Sequence, residues 1–156
     1  MARIIVVYES KFGNTRRAAE AIAEGAGETP GVEAVVKELK EVDPKQLVEY
    51  DAIVVGSPNH VGSATRGIKK FIDHLGKLDL EGKVTAAFDL YLQEGKAVGK
   101  MEKQLGEKAP GLKLVSPGLS VRVEGMKGPV AEGEIPRCRD FGARVAIGLK
   151  GKPGTR

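Results

Sequence analysis

Polar side chains that could hold an anion gather in one short segment near the start of the chain. Residues 9–15 contain Ser10, Asn14 and Thr15, which carry hydroxyl or amide groups, and Gly13, where the backbone can approach a ligand closely. The segment follows an apolar run and precedes an Ala-rich stretch, so we expect it to join a strand to a helix. The free N–H groups at a helix start attract phosphate. Two interpretations fit equally well: a phosphate-binding loop, or a plain helix cap made by Asn14 or Thr15.

The elements that must position this segment follow from an alternation of short apolar runs with amphipathic stretches. Such alternation predicts βαβ units, that is, an α/β fold with a parallel sheet covered by helices on both faces. Ligands of such sheets bind beyond the carboxyl ends of the strands. The predicted strands cover residues 3–8, 32–39, 52–56, 84–88 and 112–123, the last interrupted by Pro117, and the predicted helices cover residues 15–25, 66–76, 96–108 and 136–149, with a further short helix within residues 43–49.

Length and composition exclude several classes of protein. The 156 residues suit one domain, which we assign to residues 1–150, followed by a basic C-terminal tail at residues 151–156. A single cysteine excludes a disulfide framework and a CxxC motif, and two histidines argue against a metal site. The apolar runs are too short for a signal peptide or a membrane span, so we expect a soluble cytoplasmic protein without membrane contact. A diffuse net charge of +4 and the absence of Trp argue against nucleic-acid binding.

Three stretches of the chain resemble the flavodoxin family. Residues 6–22 (VVYESKFGNTRRAAEAI) match its phosphate-loop signature, in which an apolar pair and an aromatic residue precede Ser/Thr, Thr and Ala at fixed spacing. Residues 56–62 (GSPNHVG), followed by residues 69–72 (KKFI), are similar to the second flavin loop and its helix, and residues 140–142 resemble the last helix. The resemblance implies a three-layer, doubly wound, five-stranded parallel sheet in the order 2-1-3-4-5.

The resemblance also implies FMN as the cofactor and electron transfer as the function. Tyr91 is then the candidate to stack on the flavin, the alternative being a half-buried surface tyrosine. His60 would contact the flavin edge through its peptide more than its imidazole, the alternative being a solvated loop histidine. No side chain need act as a catalytic acid or base. The implied cofactor-binding residues are Ser10, Lys11, Phe12, Gly13, Asn14 and Thr15 for the phosphate, and Pro58, Asn59, His60, Val61, Gly62, Asp89, Leu90, Tyr91 and Gly95 for the ring.

The chain departs from many members of that family in its charge. It is basic, it lacks Trp, and residues 57–62 contain no carboxylate. We therefore expect less negative flavin potentials than in acidic flavodoxins, and a redox protein partner with an acidic face; the oligomeric state stays open. An NAD(P)H-dependent quinone or flavin reductase is the alternative function, and a domain that has lost FMN is a third.

The segment around Cys138 has the Cys-x5-Arg spacing of a phosphatase loop, with Arg144 as its arginine. In such a loop the thiolate and the arginine share one phosphate at a strand-to-helix turn. Here both residues lie within a predicted helix, and Cys138 belongs to its apolar stripe. A buried structural cysteine is the favoured interpretation.

Overall fold

The computed structural model describes residues 1–150, apart from the side chain of Lys150, so the predicted tail at residues 151–156 lies outside the described residues. Strands and helices alternate as the sequence predicts. The strands are β1 (Ala2–Tyr8), β2 (Val32–Glu38), β3 (Ala52–Pro58), β4 (Val84–Tyr91), β5 (Lys113–Leu114) and β6 (Leu119–Arg122), the helices are α1 (Asn14–Gly27), α2 (Arg66–Leu75), α3 (Ala97–Lys108) and α4 (Glu134–Lys150), and short 3₁₀ turns cover Leu39–Glu41 and Pro44–Glu49.

All strand pairs of the sheet are parallel, and the predicted order 2-1-3-4-5 is confirmed. The fifth position is shared by β5 and β6, which both pair with β4. The break falls at Pro117, which has no N–H to donate to the sheet. The next residue, Gly118, donates its N–H to Glu102 Oε2 at 2.9 Å rather than to a strand. One predicted strand is therefore two short ones.

The sheet is covered on both faces, which gives two apolar layers. Ile4 and Val6 of β1 belong to the layer under α1 and α4, whereas Ile5 and Val7 belong to the layer under α2 and α3. Side chains alternate between the faces of a strand, so a strand buried on both sides is apolar throughout. This explains the run without polar alternation at the start of the chain.

The backbones of α1 and α4 are in close contact at two glycines, Gly25 of α1 and Gly142 of α4. A Cβ on Gly142 would lie 1.9 Å from the carbonyl oxygen of Ile22, and a Cβ on Gly25 would lie 2.0 Å from that of Arg139. No other residue type fits either position without a shift of the helices. Cys138 is fully buried in the same layer, as the apolar stripe predicts.

Several boundaries differ from the sequence prediction, among them the ends of β3 and β4 and the start of α4. β4 continues to Tyr91, so Asp89 and Leu90, which were expected in a loop, are buried strand residues. Helix α4 begins at Glu134, so Pro136 is its third residue rather than its first. Proline is still accommodated there because the first-turn N–H groups have no partner within a helix. Within the described residues, every helix is too short or too polar to cross a membrane.

Candidate functional site

A cleft of about 290 Å³ opens where the carboxyl ends of β1, β3 and β4 meet. It brings together residues that follow the predicted strands 3–8, 52–56 and 84–88, in what we call the first, second and third loops. Gly13, Val61, Gly62, Asp89 and Gly95, which were also predicted to contact the cofactor, do not line it. The lining residues are Ser10, Lys11, Phe12, Asn14, Thr15, Pro58, Asn59, His60, Leu90, Tyr91, Leu92, Val123 and Met126.

The start of α1 faces this cleft without a side-chain cap. Its N-cap is Gly13, with a left-handed φ of 88°, and no acidic residue occupies the first turn. Ser10 Oγ accepts the N–H of Gly13 at 2.9 Å, which shapes the loop before the helix. The interpretation of Asn14 or Thr15 as a plain cap is therefore wrong. The first N–H groups of the helix lack intrahelical acceptors, and together with the helix dipole they form an anion site.

Thr15 is the buried polar residue of this anion site. Its side chain is 2% exposed and lines the cleft. Within residues 1–150, its hydroxyl has no hydrogen-bond partner, so it can donate to a ligand. The geometry thus combines helix N–H groups with one hydroxyl, as a phosphate requires.

A loop after β6 closes one side of the cleft and was not foreseen from the sequence. Gly128, with φ 96°, packs so tightly that a Cβ there would lie 2.3 Å from Asn14 Oδ1. Its N–H donates to the carbonyl of Gly125 at 2.9 Å, which turns the chain and presents Met126 to the cleft. The spacing of the two glycines was the available sequence signal.

The second loop contains a tight turn with two central residues, Val61 and Gly62. The N–H of His60 donates to the carbonyl of Ser63 at 2.7 Å, and the reverse bond measures 3.1 Å. Between them Val61 and Gly62 both have positive φ, 53° and 75°. The N–H and carbonyl of His60 are thus used in the turn, and the expected contact of its peptide with the flavin edge stays a prediction. His60 can offer its imidazole to the cleft, while the N–H groups of Val61 and Gly62 have no acceptor within the described residues.

Hydrogen bonds to Thr65 hold the end of this loop where helix α2 begins. Ser57 Oγ accepts the N–H of Thr65 at 2.9 Å. Thr65 caps α2 by accepting the N–H of Ile68 at 3.2 Å, and its hydroxyl donates to Glu9 Oε1. The loop between β3 and α2 is therefore held at both ends, which limits its movement relative to the cleft.

Asn59 and Asp89 join the second loop to the third. Asn59 Nδ2 donates to Asp89 Oδ2 at 2.9 Å and to the carbonyl of Leu90 at 2.8 Å. Helix α3 has no cap from its own N-cap residue; its first N–H groups, on Ala97 and Val98, donate to Asn59 Oδ1 and Asp89 Oδ2, each at 2.9 Å. Asn59, which lines the cleft, is thus fixed by Asp89 behind it, and its amide group together with Asp89 Oδ2 is used in this network.

Asp89 is fully buried, and its second oxygen, Oδ1, has no hydrogen-bond partner among the described residues. Gly95 lies beside it, because a Cβ there would be 2.4 Å from Ser120 Oγ and 3.2 Å from Asp89 Oδ1. A carboxyl group therefore stands directly behind the second loop. Although residues 57–62 contain no carboxylate, the second loop therefore does have a carboxyl group next to it, bonded to Asn59.

Tyr91 is the last residue of β4 and lines the cleft with a half-buried side chain. Its carbonyl accepts the N–H of Val123 at 2.9 Å, which fixes the backbone where the ring begins. The cleft is thus bounded in part by an aromatic ring and by apolar side chains from several loops, a surface suited to a flat apolar ligand.

Comparisons with known proteins agree with this geometry. A family model described as a flavodoxin domain matches residues 5–119. The structure resembles that of a flavodoxin from the domain Archaea with a TM-score of 0.83 and 30% sequence identity, covering 95% of this chain and 99% of the other.

Two curated proteins show the same relationship over different lengths. The Type A flavoprotein fprA of Rhodobacter capsulatus is 34% identical over 158 residues, which cover 98% of this chain but 34% of that protein. The NAD(P)H dehydrogenase (quinone) of Archaeoglobus fulgidus is 37% identical over 116 residues, covering 56% of this chain and 61% of the enzyme. The chain thus spans only part of the length of these curated relatives.

Proposed function

The chain belongs to the flavodoxin family, and we propose that its residues 1–150 form one domain that binds one FMN in the cleft and transfers electrons between redox proteins. The observation that carries the proposal is the uncapped start of α1, which opens onto a cleft with apolar walls. A flavin phosphate needs the first feature and a flavin ring needs the second.

The residues present fit FMN at both ends. The loop from Ser10 to Thr15 offers helix N–H groups and the Thr15 hydroxyl to a terminal phosphate. Neutral donors suffice, because a charge-assisted hydrogen bond contributes about 1.5–3 kcal/mol. At the other end the Tyr91 ring and the loop around Pro58 bound a space for a flat ring system. Gly13 permits the backbone turn that an L side chain at φ 88° would strain.

When bound, FMN supplies the one- and two-electron chemistry, and the protein binds and orients it. The Ser10–Thr15 segment holds the phosphate. The network of Asn59 and Asp89 fixes the second and third loops relative to each other, and thereby the walls that exclude water from the ring. The N–H groups of Val61 and Gly62, which follow the lining residue His60 but do not themselves line the cleft, are the donors that the second loop could offer the ring edge.

The partner that we propose carries an acidic face, since the net charge of this chain is +4. Opposite charges speed the encounter of two proteins at low salt. Electron carriers meet and leave their partners rapidly, so steering matters more for them than tight binding.

The test is the identity and stoichiometry of the flavin. Purified protein reconstituted with FMN should show a visible flavin spectrum, and acid release followed by chromatography should yield one FMN per chain. Binding of FAD in preference to FMN, or of riboflavin as tightly as FMN, would contradict the assignment of the phosphate end.

A reductase is the second candidate, because the Archaeoglobus fulgidus relative is named as an NAD(P)H dehydrogenase (quinone). Such an enzyme must admit a nicotinamide cofactor and a quinone to the same flavin. Steady-state oxidation of NADPH and NADH with a quinone separates the two functions. An electron carrier should show no turnover above that of free FMN.

A further inference from the structure

Exposed apolar side chains surround the mouth of the cleft. Phe12, Leu92 and Met126 line it and are 41%, 46% and 76% exposed, and Val61, next to His60, is fully exposed. Each comes from a different loop, following β1, β4, β6 and β3 respectively. We call these four residues the apolar rim. Scattered exposed apolar residues are ordinary, but a ring of them around one opening indicates an interaction site.

The side chain of Val61 is not stabilised by burial within this chain. It is β-branched, its φ is 53°, and its side chain contacts solvent. A two-residue turn with positive φ at both positions favours Asn or Gly at the first. Valine there carries both backbone strain and an unburied apolar surface. That surface becomes favourable only against another molecule.

Lysines flank the apolar rim on two sides. The ammonium groups of Lys11 and Lys127 lie 5.4 Å and 5.9 Å from the centre of the Phe12 ring. On the other side, a Cβ on Gly62 would lie 3.4 Å from Lys96 Cδ and 4.0 Å from Lys100 Nζ. These four side chains are the basic flank.

The basic flank keeps a positive excess. Lys96 pairs with Glu94 at 3.0 Å. Within the part of the chain that the structure describes, no carboxylate lies within ion-pair distance of Lys11, Lys100 or Lys127. The nearby Glu124, on the loop of Met126, is paired with Arg122 at 3.7 Å. The charge that this face presents to a partner is therefore positive.

We infer that the apolar rim and the basic flank form the docking face for a redox protein that presents carboxylates around an apolar patch. The inference rests on the proposed function, since the face surrounds the flavin cleft. An apolar centre with a charged border is the usual arrangement of a protein interface, in which the border steers and the centre holds. It brings a partner to the opening through which electrons leave at the shortest distance.

The test measures electron transfer from the reduced FMN-loaded protein to plastocyanin, an acidic copper protein that serves as the probe. Uncharged benzoquinone is the second acceptor, because it reports on the flavin without a docking face. In the double variant Lys100→Gln/Lys127→Gln, we expect the plastocyanin rate to fall about fivefold at low ionic strength and to converge with wild type at high salt. The benzoquinone rate should not change. Lys113→Gln is the matched control, because Lys113 on β5 pairs with Val84 at the start of β4, at the end of the strands away from the cleft.

The apolar rim is tested with Val61→Asn, a substitution that suits the turn. We expect the ratio of the plastocyanin rate to the benzoquinone rate to fall about threefold at every salt concentration, since apolar contacts are not screened. Val48→Asn, at another exposed valine, is the control. A separate FMN titration of the Val61 variant distinguishes a change in docking from a change in cofactor affinity.

The outcomes separate the two proposals. A protein that binds no FMN, or that fails to reduce benzoquinone, contradicts the proposed function. The docking face alone is overturned if the benzoquinone rates are normal and the plastocyanin rates are the same in wild type and in both variants. Plastocyanin rates that rise with salt would overturn it as well.

Discussion

Asn59 and Asp89, which are thirty residues apart in the chain, are joined by a hydrogen bond of 2.9 Å between Nδ2 and Oδ2. Both side chains also accept N–H groups from the start of α3, on Ala97 and Val98. These three hydrogen bonds therefore join a loop, a strand and a helix beside the cleft. They give the site its rigidity on the side where the flavin ring is proposed to bind.

The first prediction concerns the charge of Asp89. The Asp89→Asn variant keeps the shape and one acceptor oxygen but removes a negative charge behind the second loop. Negative charge opposes the reduction of a flavin, so the midpoint potential of bound FMN should become less negative. A spectroelectrochemical titration measures this shift.

Asp89→Ala is the contrasting variant, because it leaves the N–H groups of Asn59 and Val98 without an acceptor. A buried unsatisfied donor costs about 1–3 kcal/mol, so we expect weaker FMN binding as well as lower stability. An Asn variant with an unchanged potential would mean that this carboxyl group only holds the wall.

The second prediction concerns Thr15 at the phosphate end. Thr15→Val keeps the shape and removes the hydroxyl, so FMN affinity should fall by about tenfold to a hundredfold, since a bond to a charged group contributes about 1.5–3 kcal/mol. Titration of the apoprotein measures the dissociation constant. Riboflavin, which lacks the phosphate, is the control ligand and should bind wild type and variant alike. Equal losses for both ligands would refute a phosphate contact.

The third prediction concerns the Tyr91 ring. If it stacks on the flavin, Tyr91→Ala should weaken FMN binding and raise the fluorescence of the bound flavin, because a stacked phenol quenches it. Tyr91→Phe keeps a ring and should retain most of the affinity. A crystal structure with FMN bound and Tyr91 turned out of the cleft would contradict the stacking.

The strand, loop and helix at the start of the chain could be predicted from the sequence because the information for them is local. The strand, the loop with Gly13 and the helix are consecutive, so their periodicities and one glycine specify the turn. Even there the sequence left the choice between a capped helix and an anion site open. The structure excludes the capped helix, since no side chain caps α1, and the phosphate site stays a prediction.

The wall of the cleft could not be predicted because its contacts join distant segments. The placement of Met126 depends on β6 pairing with β4, and a strand of only four residues carries a weak pattern. The predicted strand ends at Phe88, which leaves Asp89 in the following loop, whereas in the structure Asp89 is a buried residue of β4. Its hydrogen-bond partners, Asn59 and Val98, belong to other elements, and no residue spacing in the sequence predicts these contacts.

The fourth prediction concerns the contact between α1 and α4. Gly142→Ala should lower the free energy of unfolding by about 3 kcal/mol, because the added Cβ would meet the Ile22 carbonyl oxygen at 1.9 Å and force the helices apart. Chemical denaturation measures the change. Gly106→Ala in α3 is the matched control, since a Cβ there meets nothing within 4 Å. It should raise stability by about 0.5–1 kcal/mol through helix propensity. Equal effects of the two substitutions would show that the helices do not pack through this glycine.

The last prediction concerns the pH dependence contributed by Cys138. Burial raises the pKa of its thiol to about 12 from an ordinary value of 9.0. The thiol therefore stays protonated in the folded protein where the unfolded chain has already ionised. The folded state binds the extra proton, so stability is complete below pH 9 and falls above it by up to about 1.4 kcal/mol per pH unit. Because lysines and tyrosines titrate in the same range, the measurement compares urea unfolding of wild type and Cys138→Ala at pH 8 and pH 10. The wild-type protein should lose more stability between the two pH values than the variant. An equal loss of unfolding free energy in the two proteins would refute a protonated and buried thiol. Rapid reaction of the folded protein with a thiol reagent at pH 8 would refute it too, and either result would favour the alternative of a reactive cysteine.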